Sequence, residues 1–220
     1  DGKAAKKTAE SAARITGLIS LPCAVGLLLM AGPITSLLGG YTGEKLELAT
    51  KLMTVLSVCI FLYAIIQYTN SLLQAHGYVN APVVNMLTSG VVRLVLVYVL
   101  VGNPNLGLLG APIGSFIGYL LIAVLNLVSI RHKVEQKPKL LQNLLRPAIP
   151  ALVMGVVVFF CYRALVAVLG VDGSRIILCG APIAVGAVVY FVCVVLMKSI
   201  TREDCLLLPK GEKIAKLLKL

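Results

Sequence analysis

The fold is decided by residues 82–101, PVVNMLTSGVVRLVLVYVLV. About 20 predominantly apolar residues are enough for one helix to cross the hydrocarbon of a bilayer. Arg93 stands near the middle of this stretch, and a guanidinium keeps its proton in proteins. Placing such a charge in hydrocarbon costs at least about 2.5–3.5 kcal/mol. We therefore expect Arg93 to face water, a partner group or a bound anion within a membrane protein.

The composition of the whole chain excludes a soluble globular domain. Apolar residues make up 59% of the 220 residues and charged residues 13%, against roughly 45–50% and about 25% in globular domains. The net charge is +11, but the bases lie in loops and tails beside apolar stretches. Membrane orientation explains that distribution, so no nucleic acid partner is expected. The six cysteines form no C-x-x-C pair, and we expect neither a metal site nor a cofactor.

Turn sequences and charged loops divide the apolar sequence into six predicted membrane-spanning helices. The fold class is therefore predicted to be all-α, a polytopic bundle of six transmembrane helices. A basic segment, 1–14, precedes the bundle, and a basic tail, 198–220, follows it. The predicted spans are 15–38, 52–75, 82–101, 107–129, 147–168 and 176–197.

Prolines predict two irregularities in the first span. Pro22 is expected to kink the helix and to free a carbonyl that a neighbouring helix must cover. A second break is expected at Gly32-Pro33. Residues 39–51, which carry mixed charge, are expected to form a loop.

The basic residues are distributed unequally between the two ends of the predicted bundle. With six spans, residues 1–14, the loop 130–146 and the tail 198–220 share one side and contain fifteen of the 20 Lys and Arg residues. The opposite side holds Lys45, Lys51 and Arg175. The positive-inside rule predicts that both ends of the segment are cytoplasmic and that the protein is a multi-pass protein of the cell membrane. The amphipathic, lysine-rich tail predicts an interfacial helix, so the lipid bilayer is itself an expected partner.

Polar residues recur at helical spacing along three consecutive spans. The second span carries Tyr63, Gln67, Asn70 and Gln74, the third Asn85, Ser89 and Arg93, and the fourth Ser115, Tyr119, Asn126 and Ser129. Each set occupies one side of its helix. Such residues either line a cavity and bind substrate hydroxyls or make hydrogen bonds between helices. The candidate cavity residues are Arg93, Asn85, Ser89, Gln67, Asn70, Gln74 and Tyr119.

A neighbouring side of the fourth span carries three glycines spaced four residues apart, at Gly110, Gly114 and Gly118. Repeated small residues let helix backbones approach closely in lipid, so this side is predicted to pack against another helix.

The two intramembrane arginines have different predicted roles. No Asp or Glu lies in any of the six spans, so Arg93 either binds an anionic ligand or is satisfied by carbonyls or a water pocket. Arg163 stands near one end of the fifth span and is expected to extend to the interface. No motif pairs a nucleophile with a base, and no loop is typical of a phosphate cradle. We therefore expect no catalytic residues and no enzyme.

Three segments resemble one group of exporters. LLQAHGYVNAPVVN, residues 72–85, resembles the L-Q-x-x-G-x-x-x-x-P signature of polysaccharide and lipid-linked oligosaccharide flippases. NLGLLGAPIGSFIGYLLIAVLNL, residues 105–127, resembles the G-x-x-G-A-x-I-x-x-x-I-G-Y segment that follows it. The tail ITREDCLLLPKGEKIAKLLKL, residues 200–220, is similar to the C-terminus of stage V sporulation protein B-like members. All of these belong to the multidrug/oligosaccharidyl-lipid/polysaccharide exporter superfamily.

The resemblance implies that the chain is the C-terminal half of a two-lobe transporter, aligned with the last six of fourteen helices. Its partners are then the N-terminal lobe and an anionic lipid-linked saccharide. The implied function is a flippase that moves lipid-linked oligosaccharide or peptidoglycan precursors across the cytoplasmic membrane by alternating access. Two alternatives stay open. One is a multidrug exporter of the same superfamily, and the other is a non-transporting scaffold for envelope or spore wall synthesis.

Overall fold

A computed structural model describes residues 2–134, 139–170 and 174–197. Within these ranges the chain is helical and contains no strand, which confirms the predicted all-α class. The elements in chain order are α1 (Gly2–Leu29), α2 (Ala31–Gly39), α3 (Gly43–Ala75), α4 (Asn80–Val101), a 3-10 turn (Gly107–Leu109), α5 (Gly110–Lys133), α6 (Leu140–Leu145), α7 (Ala148–Leu169) and α8 (Arg175–Leu196).

Six of these helices are long and apolar enough to cross a membrane: α1, α3, α4, α5, α7 and α8. The predicted number of spans is therefore confirmed within the described residues. The predicted interfacial tail, 198–220, lies outside them.

The first span differs from its predicted limits at both ends. Helix α1 begins at Gly2, so the basic segment is helical and continuous with the span. The break falls at Met30, before the predicted Gly32-Pro33, and it is slight. Backbone hydrogen bonds from Met30 to Gly26 and from Ile34 to Met30 continue the helical pattern across it. Pro33 instead lies in the first turn of α2, where a missing N–H costs least.

The kink-prone Pro22 lies within α1, and its freed carbonyl is covered as predicted. Proline at position 22 cannot donate to the carbonyl of Leu18. The hydroxyl of Tyr190, on α8, donates to that oxygen at 2.7 Å. The interhelical bond replaces the missing helical one in a setting where an unsatisfied carbonyl is costly.

Helix α3 is much longer than the predicted span, because the predicted loop 39–51 is helical from Gly43 onward. Glu47 and Lys51 form an ion pair of 2.7 Å one turn apart, which supports an exposed helix. At about 1.5 Å per residue, α3 exceeds the roughly 30 Å of hydrocarbon. Its charged first turns therefore extend beyond the apolar layer.

The helices pack in a chain of neighbours. Helix α4 packs on α5, α5 on α3, and α3 on α1, while α7 and α8 pair with each other and lie against α1 and α2. Helix α4 forms one edge of the bundle, and most of its apolar side chains are exposed. This edge position matters for Arg93, since α4 contacts the bundle chiefly through α5.

The basic N-terminal segment and the basic linker lie at the same end of the bundle. Arg14 donates to the side chain of Asn143 at 3.3 Å, and the backbone N–H of Lys139 donates to Glu10 at 3.1 Å. Next to them, Ala9 packs in a cluster with residues from the ends of α3 and α5. The assignment of this end to the cytoplasm remains a prediction.

Candidate functional site

The three glycines of α5 bring α4 into close contact, as predicted. A Cβ atom added to Gly114 would lie 2.7 Å from a methyl of Val97, and one added to Gly118 would lie 2.8 Å from Cβ of Arg93. At Gly110 the neighbour is the backbone of Leu100. Helix α5 therefore forms the floor on which the side chain of Arg93 lies.

Arg93 is half-buried and extends across α5. Its aliphatic carbons lie over Gly118, and its guanidinium carbon stands 4.8 Å from the centroid of the Tyr119 ring. A cation over an aromatic face gains about 0.5–2 kcal/mol, more as the site becomes drier. The structure thus brings together two of the predicted cavity residues, Arg93 and Tyr119.

Tyr63 of α3 extends this contact. The Tyr63 and Tyr119 rings meet edge to face with centroids 6.0 Å apart. Both rings line an open groove of about 360 Å³ between α1, α3 and α5, which we call the aromatic groove. Its other lining residues are Leu27, Met53, Leu56, Ser57, Cys59 and Ile60. Tyr63 belonged to the predicted polar stripe of α3 but was not among the candidate cavity residues. The positions of Tyr63 and Tyr119 in the sequence do not show that their rings, on different helices, touch.

The charge of Arg93 has no carboxylate partner in the described part of the chain. Lys51 and Glu47 form an ion pair elsewhere on α3, and every Asp and Glu lies outside the predicted spans. The ring of Tyr119 covers one face of the guanidinium, but it accepts no in-plane N–H bond. The five N–H donors therefore suit water or an anion.

The asparagines of the predicted stripes form a separate buried cluster, the asparagine network. Asn126 of α5 is fully buried, and its amide donates to Thr69 at 2.9 Å and to Asn70 at 2.7 Å. Its oxygen accepts from Asn85 of α4 at 2.9 Å. Asn85 also donates to Ser129 at 3.1 Å. The network ties α3, α4 and α5 together.

The candidate cavity residues therefore separate into three groups. Asn70 and Asn85 make hydrogen bonds between helices, and the buried hydroxyl of Ser89 donates to the carbonyl of Gly118 at 2.6 Å. Gln67 and Gln74 are exposed on α3, on the side that carries Tyr63. The remaining pair is Arg93 with Tyr119. For Asn70, Asn85 and Ser89 the observed contacts are hydrogen bonds between helices, which was the alternative to lining a cavity.

Six apolar helices of spanning length define the class of this protein as a multi-pass membrane protein. Within that class, residues 1–99 match the MatE family, whose members are exporters of the multidrug/oligosaccharidyl-lipid/polysaccharide superfamily. The matched residues include α1 to α3, most of α4 and Arg93 itself. No curated protein and no solved structure matches the chain. The matched segment makes up less than half of the 220 residues.

Proposed function

We propose that the chain forms one lobe of a flippase that moves lipid-linked oligosaccharide or peptidoglycan precursors across the cytoplasmic membrane by alternating access. The MatE match over residues 1–99 supports a transporter. The observation that carries the choice of substrate is the geometry of Arg93. Its guanidinium lies halfway along a spanning helix, on the Tyr119 ring, with no carboxylate among the described residues to neutralise it.

The chemistry of this site fits a phosphate-bearing head group. A guanidinium presents a planar fork of donors that matches phosphate oxygens. The Tyr119 ring lies beside it, and the Tyr63 ring meets Tyr119 edge to face. The exposed Gln67 lies one turn further along α3 from Tyr63. The aromatic groove continues this surface with mostly apolar walls, which suit a lipid chain.

Transport requires that the substrate bind and then leave, with no bond made or broken. A cation permanently paired with a carboxylate offers little to an incoming anion, whereas a cation held on an aromatic ring keeps its in-plane donors available. The arrangement of Arg93 on Tyr119 therefore provides moderate, reversible binding.

The test is a flipping assay with the complete protein in vesicles that contain a fluorescent lipid-linked saccharide. Arg93→Ala removes the cation, and Arg93→Gln removes it while keeping much of the aliphatic stem over Gly118. A lost charged hydrogen bond of about 1.5–3 kcal/mol predicts a roughly 10- to 100-fold slower rate for both variants. Arg93→Lys keeps the charge without the planar fork. Its flipping rate is expected to lie between the rates of these two variants and that of the parent.

Arg163→Gln is the matched control. Arg163 is also an arginine of a spanning helix and lies 5.3 Å from the Phe159 ring, but it is exposed near the end of α7. Its substitution should leave the flipping rate within about twofold. Equal rates for the parent and the Arg93 variants contradict the proposal. Export of organic cations that survives in the Arg93 variants indicates the multidrug alternative. If the parent protein shows neither flipping nor cation export and the Arg93 variants support normal envelope growth, the scaffold alternative is indicated.

A further inference from the structure

A second cavity lies at the end of the bundle opposite the basic linker. It has a volume of about 450 Å³ and is lined by residues of α2, α3, α7, α8 and the segment that joins α2 to α3. Its polar lining consists of Ser36, Tyr41, Thr42, Thr50, Tyr162 and Arg175. We call it the hydroxyl cavity, because five of these six side chains carry a hydroxyl. The volume falls in the range of about 300–1,000 Å³ typical of small-molecule sites.

Arg175 gives the hydroxyl cavity a positive charge. It is the first residue of α8, and one guanidinium nitrogen donates to the carbonyl of Ser36 on α2 at 3.4 Å. This long bond uses one of five N–H donors and holds the group at the wall of the cavity. None of the described residues that line the cavity is acidic. An oxyanion that enters therefore meets a guanidinium with no carboxylate among the described lining residues.

The hydroxyls are positioned by different elements. Thr50 of α3 lies 3.3 Å from Thr35 of α2, hydroxyl to hydroxyl, so its hydroxyl lies at the junction of the two helices. Tyr162 comes from α7, and Tyr41 comes from the segment between α2 and α3. Side chains distant in sequence thus converge with donor and acceptor groups that match a polyhydroxylated ligand.

The polar lining distinguishes the hydroxyl cavity from other grooves on the bundle. Two grooves that involve α1 and α7 have apolar linings. One includes Val25, Leu28 and Phe160, and the other includes Met30, Val158 and Phe191. Lipid chains account for such apolar walls. They do not account for a guanidinium with five hydroxyls, because an apolar occupant would leave these polar groups desolvated and unpaired.

We propose that the hydroxyl cavity binds the phosphorylated saccharide head group of the substrate at this end of the bundle. Arg175 contacts the phosphate, and Tyr162 and Thr50 contact the sugar hydroxyls. The choice of a saccharide phosphate as ligand rests on the proposed function, whereas the polar lining of the cavity does not. The site is distinct from Arg93, which lies halfway along α4.

The experiment is calorimetric titration of the complete protein in detergent with three probes: glucose 1-phosphate, inorganic phosphate and glucose. Glucose 1-phosphate should bind saturably and more tightly than either of the others. Arg175→Gln should weaken this binding at least 10-fold, and Tyr162→Phe several-fold with little effect on folding. Lys51→Gln is the control of equal charge change, since Lys51 lies at the same end of α3 and pairs with Glu47 outside the cavity.

Three outcomes overturn the inference. They are an absence of saturable binding, equal affinity for glucose 1-phosphate in the parent and in Arg175→Gln, and inorganic phosphate binding as tightly as the sugar phosphate. Arg93→Gln separates the two proposals. If Arg93→Gln leaves flipping intact while Arg175→Gln abolishes glucose 1-phosphate binding, the proposed role of Arg93 is contradicted and the proposed role of the hydroxyl cavity is supported. If Arg93→Gln slows flipping while Arg175→Gln has no effect on glucose 1-phosphate binding, only the proposed role of the hydroxyl cavity is contradicted.

Discussion

At the scale of single residues, two polar groups of the packed helices α4 and α5 have opposite environments. Asn126 is sealed among three helices, and its amide makes three hydrogen bonds to Thr69, Asn70 and Asn85. Arg93 keeps most of its donors free of protein partners in the described chain. The first arrangement is typical of a group that holds helices together, and the second of a group that meets a ligand.

Asn126→Leu should therefore destabilise the bundle more than it changes substrate recognition. The substitution leaves the amides of Asn70 and Asn85 without their partner in a dry contact, which predicts a loss of about 1–3 kcal/mol in the free energy of unfolding. Unfolding in mixed micelles with increasing SDS measures it. Gln67→Leu is the control, because it removes an amide that is exposed on α3. A loss that is equal in the two variants contradicts the role assigned to the asparagine network.

At the scale of elements, proline and glycine decide how neighbouring helices meet. The glycines of α5 bring the backbone and side chains of α4 close. Pro22 of α1 frees the carbonyl of Leu18, which binds the hydroxyl of Tyr190 and so links α1 to α8. In both cases the backbone of one helix determines where the neighbouring helix makes contact.

Tyr190→Phe should cost about 0.6–1.7 kcal/mol of unfolding free energy, since it leaves the Leu18 carbonyl without a donor. In a Pro22→Ala background the backbone N–H at position 22 can donate to Leu18, so the same change should cost clearly less. SDS unfolding of the four proteins in this double-mutant cycle gives the coupling energy.

Tyr68→Phe serves as the comparison for that cycle. The Tyr68 hydroxyl donates to the carbonyl of Ala9 at 2.8 Å, where Ala13 supplies the ordinary helical N–H. Its cost should not depend on the residue at position 22. A coupling energy of zero between positions 22 and 190 would refute the replacement of one bond by the other.

At the scale of the whole molecule, the ends of the bundle differ in charge and in surface. The N-terminal part of α1 and the linker that contains α6 meet at the basic end. The hydroxyl cavity lies at the opposite end. With the basic end in the cytoplasm, the aromatic groove lies within the membrane and the hydroxyl cavity opens to the outside.

Cysteine labelling tests this orientation. In a variant without native cysteines, Lys45→Cys should react with a membrane-impermeant maleimide in intact cells, and Lys139→Cys should react only after permeabilisation. Both positions lie outside the apolar parts of the spans. Labelling of Lys139→Cys in intact cells would reverse the predicted orientation and place the hydroxyl cavity on the cytoplasmic side.

The sequence by itself determined features that depend on residues close together in the chain. Hydrophobic length set the six spans, the Pro22 ring required a donor for a carbonyl one turn earlier, and glycine spacing marked the packed side of α5. Helix ends were predicted less well. The charged residues after Gly43 belong to a helix where the sequence predicted a loop. The helix of this span continues beyond the apolar layer, where its charged side chains can remain in water.

Only the tertiary structure decided which polar residues are buried between helices and which are exposed. The stripe of α3 spans about 60°, and its edge at Asn70 faces α5 while Gln67 and Gln74 face outward. Helical geometry fixes that sector, but the neighbour that covers it is set by packing between residues far apart in sequence. The hydroxyl cavity has the same origin: residues from α2, α3, α7 and α8 become one site only when the helices assemble.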